Sequence, residues 1–369
     1  MKIERVEALH LRLPEVKLVA DGTQDVLIVR VHTDDGRVGL GEVVSCSYVG
    51  RAVIESPRSA PFRHGLAAIV TGMDSQDIEG IALAVEQGTA WYGPGGIARH
   101  AYSGLDMALW DLRGQAAGVP VRRLLSPTAV DCVPAYASVL WPARPDLVGA
   151  SARAFVETGY RYVKYGWAPM GPDLALDVEL VAAAREALGD DVGLMVDAGR
   201  AWTAVEAMKR AERFAEYGAF WLEEPLHPYD NSGYAELASA SPVPIAGGEA
   251  VTLLEEYDAL LATGLDFVQP DLGRIGGITY AQRLAATAHA RGCRPVPHAF
   301  GTGVLLAASA QWTAAAPQPL TEYTRAPSPL ARDLARHTME FRDGHLHLDD
   351  TPGLGVTLDD DVIAQYRVD

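Results

Sequence analysis

Leu194-Met195-Val196-Asp197-Ala198, Trp221-Leu222-Glu223-Glu224-Pro225 and Ile245-Ala246-Gly247-Gly248-Glu249 are the segments that decide the fold. In each, a short apolar run ends on an acid, and Asp197, Glu223 and Glu249 follow one another at equal intervals of 26 residues. Each run leads into a stretch that reads as helix. If the runs are parallel strands of one barrel, the three acids converge at its C-terminal mouth, where barrel enzymes keep their chemistry. Three hard oxygen ligands on adjacent strand ends suit Mg²⁺. A single acid in such a place is accounted for by helix capping; three in register on consecutive strands point to a metal site.

Outward from this core, further strand candidates are Val133 to Val139, Tyr160 to Tyr165, Phe267 to Asp271, Arg294 to His298 and Leu320 to Tyr323. Helical patterns separate them, and Ser328 to His337 reads as the remnant of a final helix. Such alternation predicts a parallel sheet with right-handed crossovers. Eight strands without a dinucleotide glycine fingerprint predict a closed (β/α)8-type, TIM-like barrel in an α/β chain. Before it, Ile3 to Leu13, Gln24 to Thr33 and Val38 to Val44 alternate as an antiparallel meander, interrupted by irregular segments at Leu18 to Gln24 and Ser45 to Phe62. A helix over His100 to Ala117 follows, with Leu105, Ala108, Leu109 and Leu112 on one face and a Gly118-Val119-Pro120 stop. The expected organisation is an α+β capping domain over 1–127, a modified barrel over 128–338, and a segment over 339–369 that returns to the cap.

The 369 residues carry a net charge of −17, which argues against nucleic acid and anionic membranes as partners. An anionic substrate must then be drawn in by local cations. No apolar run approaches the roughly 20 residues that span a bilayer, and the N-terminal residues have no signal-peptide pattern. Three scattered cysteines, Cys46, Cys132 and Cys293, fit reduced thiols in a cytoplasm.

Asp271 and His298 end the sixth and seventh strands. An acid beside an imidazole fixes the ring tautomer and raises its basicity, giving a general base tuned near the operating pH. Lys164, near the end of the second strand, is a candidate to pair with a substrate carboxylate, to act as a base of depressed pKa, or to form a buried ion pair with one of the acids. Gly166 shares its face. Glu322, ending the eighth strand, is a candidate hydrogen-bonding partner of the substrate, and Glu224 is expected to support the ligands from behind. In the two irregular cap segments Asp21, Thr23, Tyr48, Arg51 and Arg58 are candidate substrate contacts, whereas Tyr165 and Trp167 read as barrel-to-helix packing.

Together these residues resemble the enolase superfamily, in its mandelate racemase/muconate lactonizing enzyme-like branch. The resemblance rests on the Asp197, Glu223-Glu224-Pro225 and Gly247-Gly248-Glu249 series, Pro270-Asp271 followed by Ile275-Gly276-Gly277-Ile278-Thr279, the late His298, and Ala108-Leu109-Trp110-Asp111-Leu112. It implies one Mg²⁺ held by Asp197, Glu223 and Glu249, a small carboxylate substrate bound on the metal, abstraction of its α-proton by His298 with Asp271, and a metal-stabilised enediolate. It also implies a homo-oligomer, often an octamer. Members with two opposed bases carry Lys-x-Lys on the second strand, and here Gly166 takes the second place. A single competent group favours β-elimination of water from a sugar acid, giving a 2-keto-3-deoxy acid. A racemase, epimerase or cycloisomerase working through the same enediolate is the alternative. Gly199 departs from the family pattern, which often has Asn two residues after the metal-binding Asp. Outside the family, a Schiff-base aldolase on Lys164 and a non-enzymatic binding barrel are the competing expectations.

Overall fold

The computed structural model describes residues 1–368. Strands β1 (Ile3–Arg12), β2 (Asp25–Thr33) and β3 (Val38–Val43) form the antiparallel meander. The 21-residue helix Ile97–Ala117 packs across it and ends on Gly118 in the left-handed conformation (φ 68°), where glycine carries no Cβ penalty. The segment after β3 is not wholly irregular, because Ser47–Glu55 is helical. Its first turn carries no capping bond from Cys46, so the usual start signal is missing from the sequence.

The barrel strands are β4 (Cys132–Leu140), β5 (Tyr162–Gly166), β6 (Gly193–Asp197), β7 (Ala219–Glu223), β8 (Ile245–Gly247), β9 (Phe267–Val268), β10 (Arg294–Pro295) and β11 (Thr321–Thr324). They pair in parallel from β4 to β10 in chain order, and β11 returns to pair with β4. Among the described residues no backbone ladder joins β10 to β11. Seven helices coat the outside, from Val148–Glu157 to Gly303–Thr313.

Strand alternation explains where the chemistry-bearing side chains go. Tyr136, Met195, Trp221, Val296 and Leu320 fill one interior layer of the barrel, while Leu194, Val196 and Leu222 pack outward into the main core. Two residues further along the same inward-facing phase stand Ser138, Asp197, Glu223, His298 and Glu322. The mouth is therefore floored by a packed apolar layer and rimmed by polar groups.

The tail divides its attachments. Ser328 to His337 splits into a short helix, Pro329–Arg332, and β12 (Ala335–His337). Strands β13 (Glu340–Arg342) and β14 (His345–His347) form a hairpin that pairs with barrel strand β4, not with the cap. The return to the cap is made further on. Strand β15 (Val356–Leu358) pairs with β12, and the helix Asp360–Tyr366 brings Ile363 into a core shared with Leu9, Leu11 and Ile28.

Candidate active site

A cavity of about 80 Å³ at the barrel mouth is lined by Lys164, Asp197, Glu249, Arg274, His298 and Glu322, with Ser138, Trp167 and Phe300 among its walls. Asp197 and Glu223 face one another across paired positions of β6 and β7. On β8 strict alternation fails: Gly248 adopts φ 119°, and the turn after it keeps Glu249 in the same buried cluster.

Every acid there has a partner. Glu223 Oε1 pairs with the Lys164 ammonium, and its Oε2 accepts from Gln269 Nε2 at 2.7 Å. Asp197 Oδ1 accepts from the Gly199 amide at 2.8 Å. Glu249 lies 3.1 Å from His298 Nε2 and 3.4 Å from Arg274 Nη1. Glu224, with φ 41°, accepts from the Gly248 amide at 2.7 Å and so braces the turn that presents Glu249. Its other oxygen is buried without a partner.

Burial raises Asp197 and Glu223 above the ordinary carboxylate range, and Lys164 offsets this only in part. Glu249 is lowered, because His298 and Arg274 outweigh its burial. Across the site six buried carboxylates (Asp197, Glu223, Glu224, Glu249, Asp271 and Glu322) meet three cationic side chains, Lys164, Arg274 and His298. The surplus of buried negative charge and the hard oxygen donors fit a small divalent cation. Among the described residues no three metal-binding side chains stand as a ready-made cage, and protein cations contact the carboxylates of Glu223 and Glu249.

His298 Nδ1 bonds Asp271 Oδ2 at 2.7 Å, and Asp271 is fixed in turn by the Gly273 amide at 2.7 Å. The acid and the imidazole are in direct contact at the ends of neighbouring strands. Burial alone would depress the imidazole, but Glu249, Glu322 and Asp271 raise it to about 9, so the acids around it, while they carry their full charge, favour the protonated ring.

Lys164 also contacts Glu322 at 3.0 Å. Burial opposes its charge, yet Glu223 and Glu322 raise its pKa well above the ordinary value. In this charge state Lys164 is neither a base of depressed pKa nor the neutral amine that a Schiff base needs. The buried ion pair among the sequence alternatives is what forms. Glu322, lowered to about 2 because Lys164 and His298 outweigh burial, accepts from the Ala299 amide.

The candidate substrate contacts fare differently. Asp21 bonds the amide and hydroxyl of Thr23 within its own turn, and the neighbouring Ala20 and Gly22 line the cavity in its place. Tyr48 packs edge-on against His10, and Arg51 is engaged by Glu55 and the Val368 carbonyl. Arg58 bonds the Ala68 carbonyl. None of the five candidates, Thr23 included, lines the cavity. Tyr165 is packing, stacked on Trp141; Trp167 is a cavity wall, which corrects its reading as packing.

Reading the sequence missed Arg274, Gln269, Ser138 and Phe300. Gln269 and Ser138 were open to detection by alternation, being in phase with Asp271 and Tyr136. Arg274 bonds the Glu249 carbonyl at 3.1 Å and the Val44 carbonyl of the cap at 3.3 Å, and lies 3.5 Å from Asp271 Oδ2. It thus ties the acid cluster, the dyad and the cap together.

Residues 6–126 match the model of the mandelate racemase/muconate lactonizing enzyme N-terminal domain, and residues 147–362 match the enolase C-terminal domain-like model. The chain is 32% identical to D-galactarolactone cycloisomerase of Agrobacterium fabrum, over 93% of this chain and 91% of that protein. It is likewise 32% identical to L-talarate/galactarate dehydratase of Salmonella typhimurium, over 90% and 80% respectively. A solved racemase from Streptomyces coelicolor with bound magnesium is 30% identical and superposes with a TM-score of 0.86, covering 99% of this chain and 100% of that one. The chain belongs to the enolase superfamily, in its mandelate racemase/muconate lactonizing enzyme branch.

Proposed function

We propose that this protein removes the proton α to the carboxylate of a sugar acid and then expels the β-oxygen, and that its main reaction is dehydration to a 2-keto-3-deoxy acid. The observation that carries this reading is the asymmetry of the mouth. His298, with Asp271 behind it, presents Nε2 on one side, while Lys164 on the other is locked as an ammonium between Glu223 and Glu322. At Gly166 there is no second base. A 1,1-proton transfer needs competent groups on both faces; a β-elimination needs one.

Asp197, Glu223 and Glu249 would hold Mg²⁺, which when bound would neutralise their charge and stabilise the negative charge that builds on the substrate carboxylate. The protein's own part is as follows. With the charge of Glu249 taken up by the bound cation, His298 in its neutral form takes the α-proton at Nε2, with Nδ1–H held on Asp271. The same Nε2–H then protonates the departing β-oxygen. Glu322 and Asp271 favour the imidazolium between these steps, and the apolar floor excludes water. A cycloisomerase reading uses the same residues, with a ring oxygen as the leaving group. The kinship with cycloisomerases supports keeping it second.

Screening sugar acids with Mg²⁺ in D₂O tests this. A 2-keto-3-deoxy product is expected; α-deuterium exchange or inversion with no keto product would sink the proposal. His298→Asn should abolish both exchange and product while divalent-metal binding, followed by calorimetry, is retained.

A further inference from the structure

The last helix of a regular barrel is missing from this chain. After β11 come only the short helix Pro329–Arg332 and then β12, and beside the outer face of β11 this leaves a cavity of about 280 Å³. It is a separate space from the catalytic mouth. Alternation along β11 sends Glu322 inward to the acid cluster and Tyr323 and Arg325 to the other side. Phe300 and Thr302 divide in the same way across Gly301, the first lining the mouth and the second the outer cavity. The walls come from the ends of the seventh and eighth strands: Thr302 and Gly303 after β10, then Thr324, Arg325 and Arg332, with His337 of β12 closing the space. In barrel enzymes the loops after those two strands are a frequent seat for a phosphate group.

The chain carries 48 acids against 31 lysines and arginines, yet no acid lines this cavity, while Arg325, Arg332 and His337 all do. The partners of both arginines are uncharged. Arg325 lies over the Tyr323 ring, 5.1 Å from its centroid, and Arg332 Nε donates to the Ala326 carbonyl at 3.1 Å, which leaves its Nη groups free. The start of the helix Gly303–Thr313 is not the attraction, because Glu42 and Thr302 already hold the amides of Thr302, Val304 and Leu305. His337 adds a different kind of group. Its Nδ1 donates to the Met339 carbonyl at 3.2 Å and burial lowers its pKa, so near neutral pH Nε2 is a lone pair that accepts a hydrogen bond. The Thr324 hydroxyl accepts from the Ala326 amide at 3.3 Å and keeps its own hydrogen to give. Two guanidinium groups suit a doubly charged tetrahedral oxyanion; an acceptor and a donor beside them suit hydroxyls.

We propose that this cavity is a second binding site, separate from the catalytic mouth, for the phosphate monoester of a small polyol, of the size and chemistry of a sugar phosphate. The phosphate group lies between Arg325 and Arg332, and hydroxyls of the carbon chain meet His337 Nε2 and Thr324. The space of about 280 Å³ is more than a free phosphate fills and comes close to the roughly 300 Å³ at which small-molecule sites begin. The ligand is bound and released unchanged, with no bond made or broken.

Calorimetric titration of the Mg²⁺-loaded protein at physiological ionic strength tests this, with D-glucose 6-phosphate, inorganic phosphate and D-glucose as probes. The hexose phosphate should saturate with a dissociation constant of about 1 mM or tighter. Inorganic phosphate should bind at least about threefold more weakly, the scale of one neutral hydrogen bond lost, and the uncharged hexose should give no measurable heat. Arg325→Met should weaken the hexose phosphate by about tenfold or more, the scale of hydrogen bonds to a charged group. Arg332 is exposed, so Arg332→Met keeps the fold intact and should weaken the hexose phosphate by about threefold or more. His337→Phe should bring the ester down to the affinity of inorganic phosphate and leave inorganic phosphate itself unchanged. Three results overturn the proposal: a hexose phosphate that does not saturate by about 20 mM, one that binds no tighter than inorganic phosphate, or one that binds both arginine variants as tightly as the unmodified protein. The last is the result expected of a phosphate held on the catalytic cation instead.

Discussion

A methyl group at position 166 would sit 2.7 Å from Asp197 Oδ2 and 2.8 Å from its Cβ. In the sequence Gly166 reads only as an absent lysine, whereas in the fold it is the clearance that lets Asp197 point into the mouth. Gly166→Ala should therefore weaken divalent-metal affinity by roughly 10- to 100-fold, the range found when the groups that orient a metal's ligands are disturbed. Calorimetric metal titration reads this, with circular dichroism confirming the fold; unchanged affinity would refute it. Asp197, Glu223 and Glu249 were legible because each closes an apolar run, and Asp271 and His298 because they close the later ones. Arg274 and Trp167 were not. Arg274 owes its place to a tight turn in which its amide bonds the Asp271 carbonyl, and Trp167 to Gly199, 32 positions away, where a Cβ would lie 2.8 Å from its indole. Neither relation leaves a periodic trace.

At the scale of elements, the junction between cap and barrel depends on Glu42 of β3. Its carboxylate accepts from the Thr302 amide and hydroxyl and from the Leu305 amide, at the start of the barrel helix Gly303–Thr313. Burial raises its pKa from 4.5 to about 7 in spite of those bonds. The folded protein therefore keeps a proton that the unfolded chain gives up. The resulting stability is fully present below about pH 4.5 and is lost as pH rises through about 7, with a total near 3 kcal/mol. Asp106 and Asp111, raised by burial to about 7 and about 6, tilt the curve the same way. Glu42→Gln should remove only the Glu42 share, flattening the pH dependence of the urea midpoint between about pH 5 and 8. A profile as steep as that of the unmodified protein would contradict this. A glutamate inside an otherwise apolar strand gives no hint of its partner 260 residues away. The helix Ser47–Glu55, uncapped and opened by Ser and Tyr, was similarly hidden.

For the whole molecule, the repeat of strand and helix made the barrel legible, since that period is set by backbone geometry and recurs seven times over. The tail was only half legible. His345-Leu346-His347 alternates as a strand, but three residues fit any free edge, and the pairing with Cys132–Pro134 is selected by tertiary proximity. Arg122 secures that region. Fully buried, it reaches Asp131, the Asp349 carbonyl and Asp350, joining the end of the cap to the barrel's first strand and the tail. Arg122→Met should cost about 2–3 kcal/mol, the scale of charge-assisted hydrogen bonds left unmade, read as a lowered midpoint in chemical unfolding. Retention of full stability would show the tail to be held by packing alone. The gap between β10 and β11 has a different consequence. Where backbone ladders close the other neighbours, here the Glu322 carboxylate bonds the Ala299 amide directly after His298. One side chain thus serves as rivet for the barrel wall and as neighbour of the reacting groups. Directed evolution that randomises position 322 for new substrates will mostly recover variants chosen for keeping the wall shut, so altered specificity is better sought at Trp167 and Phe300, which can change without unfastening it.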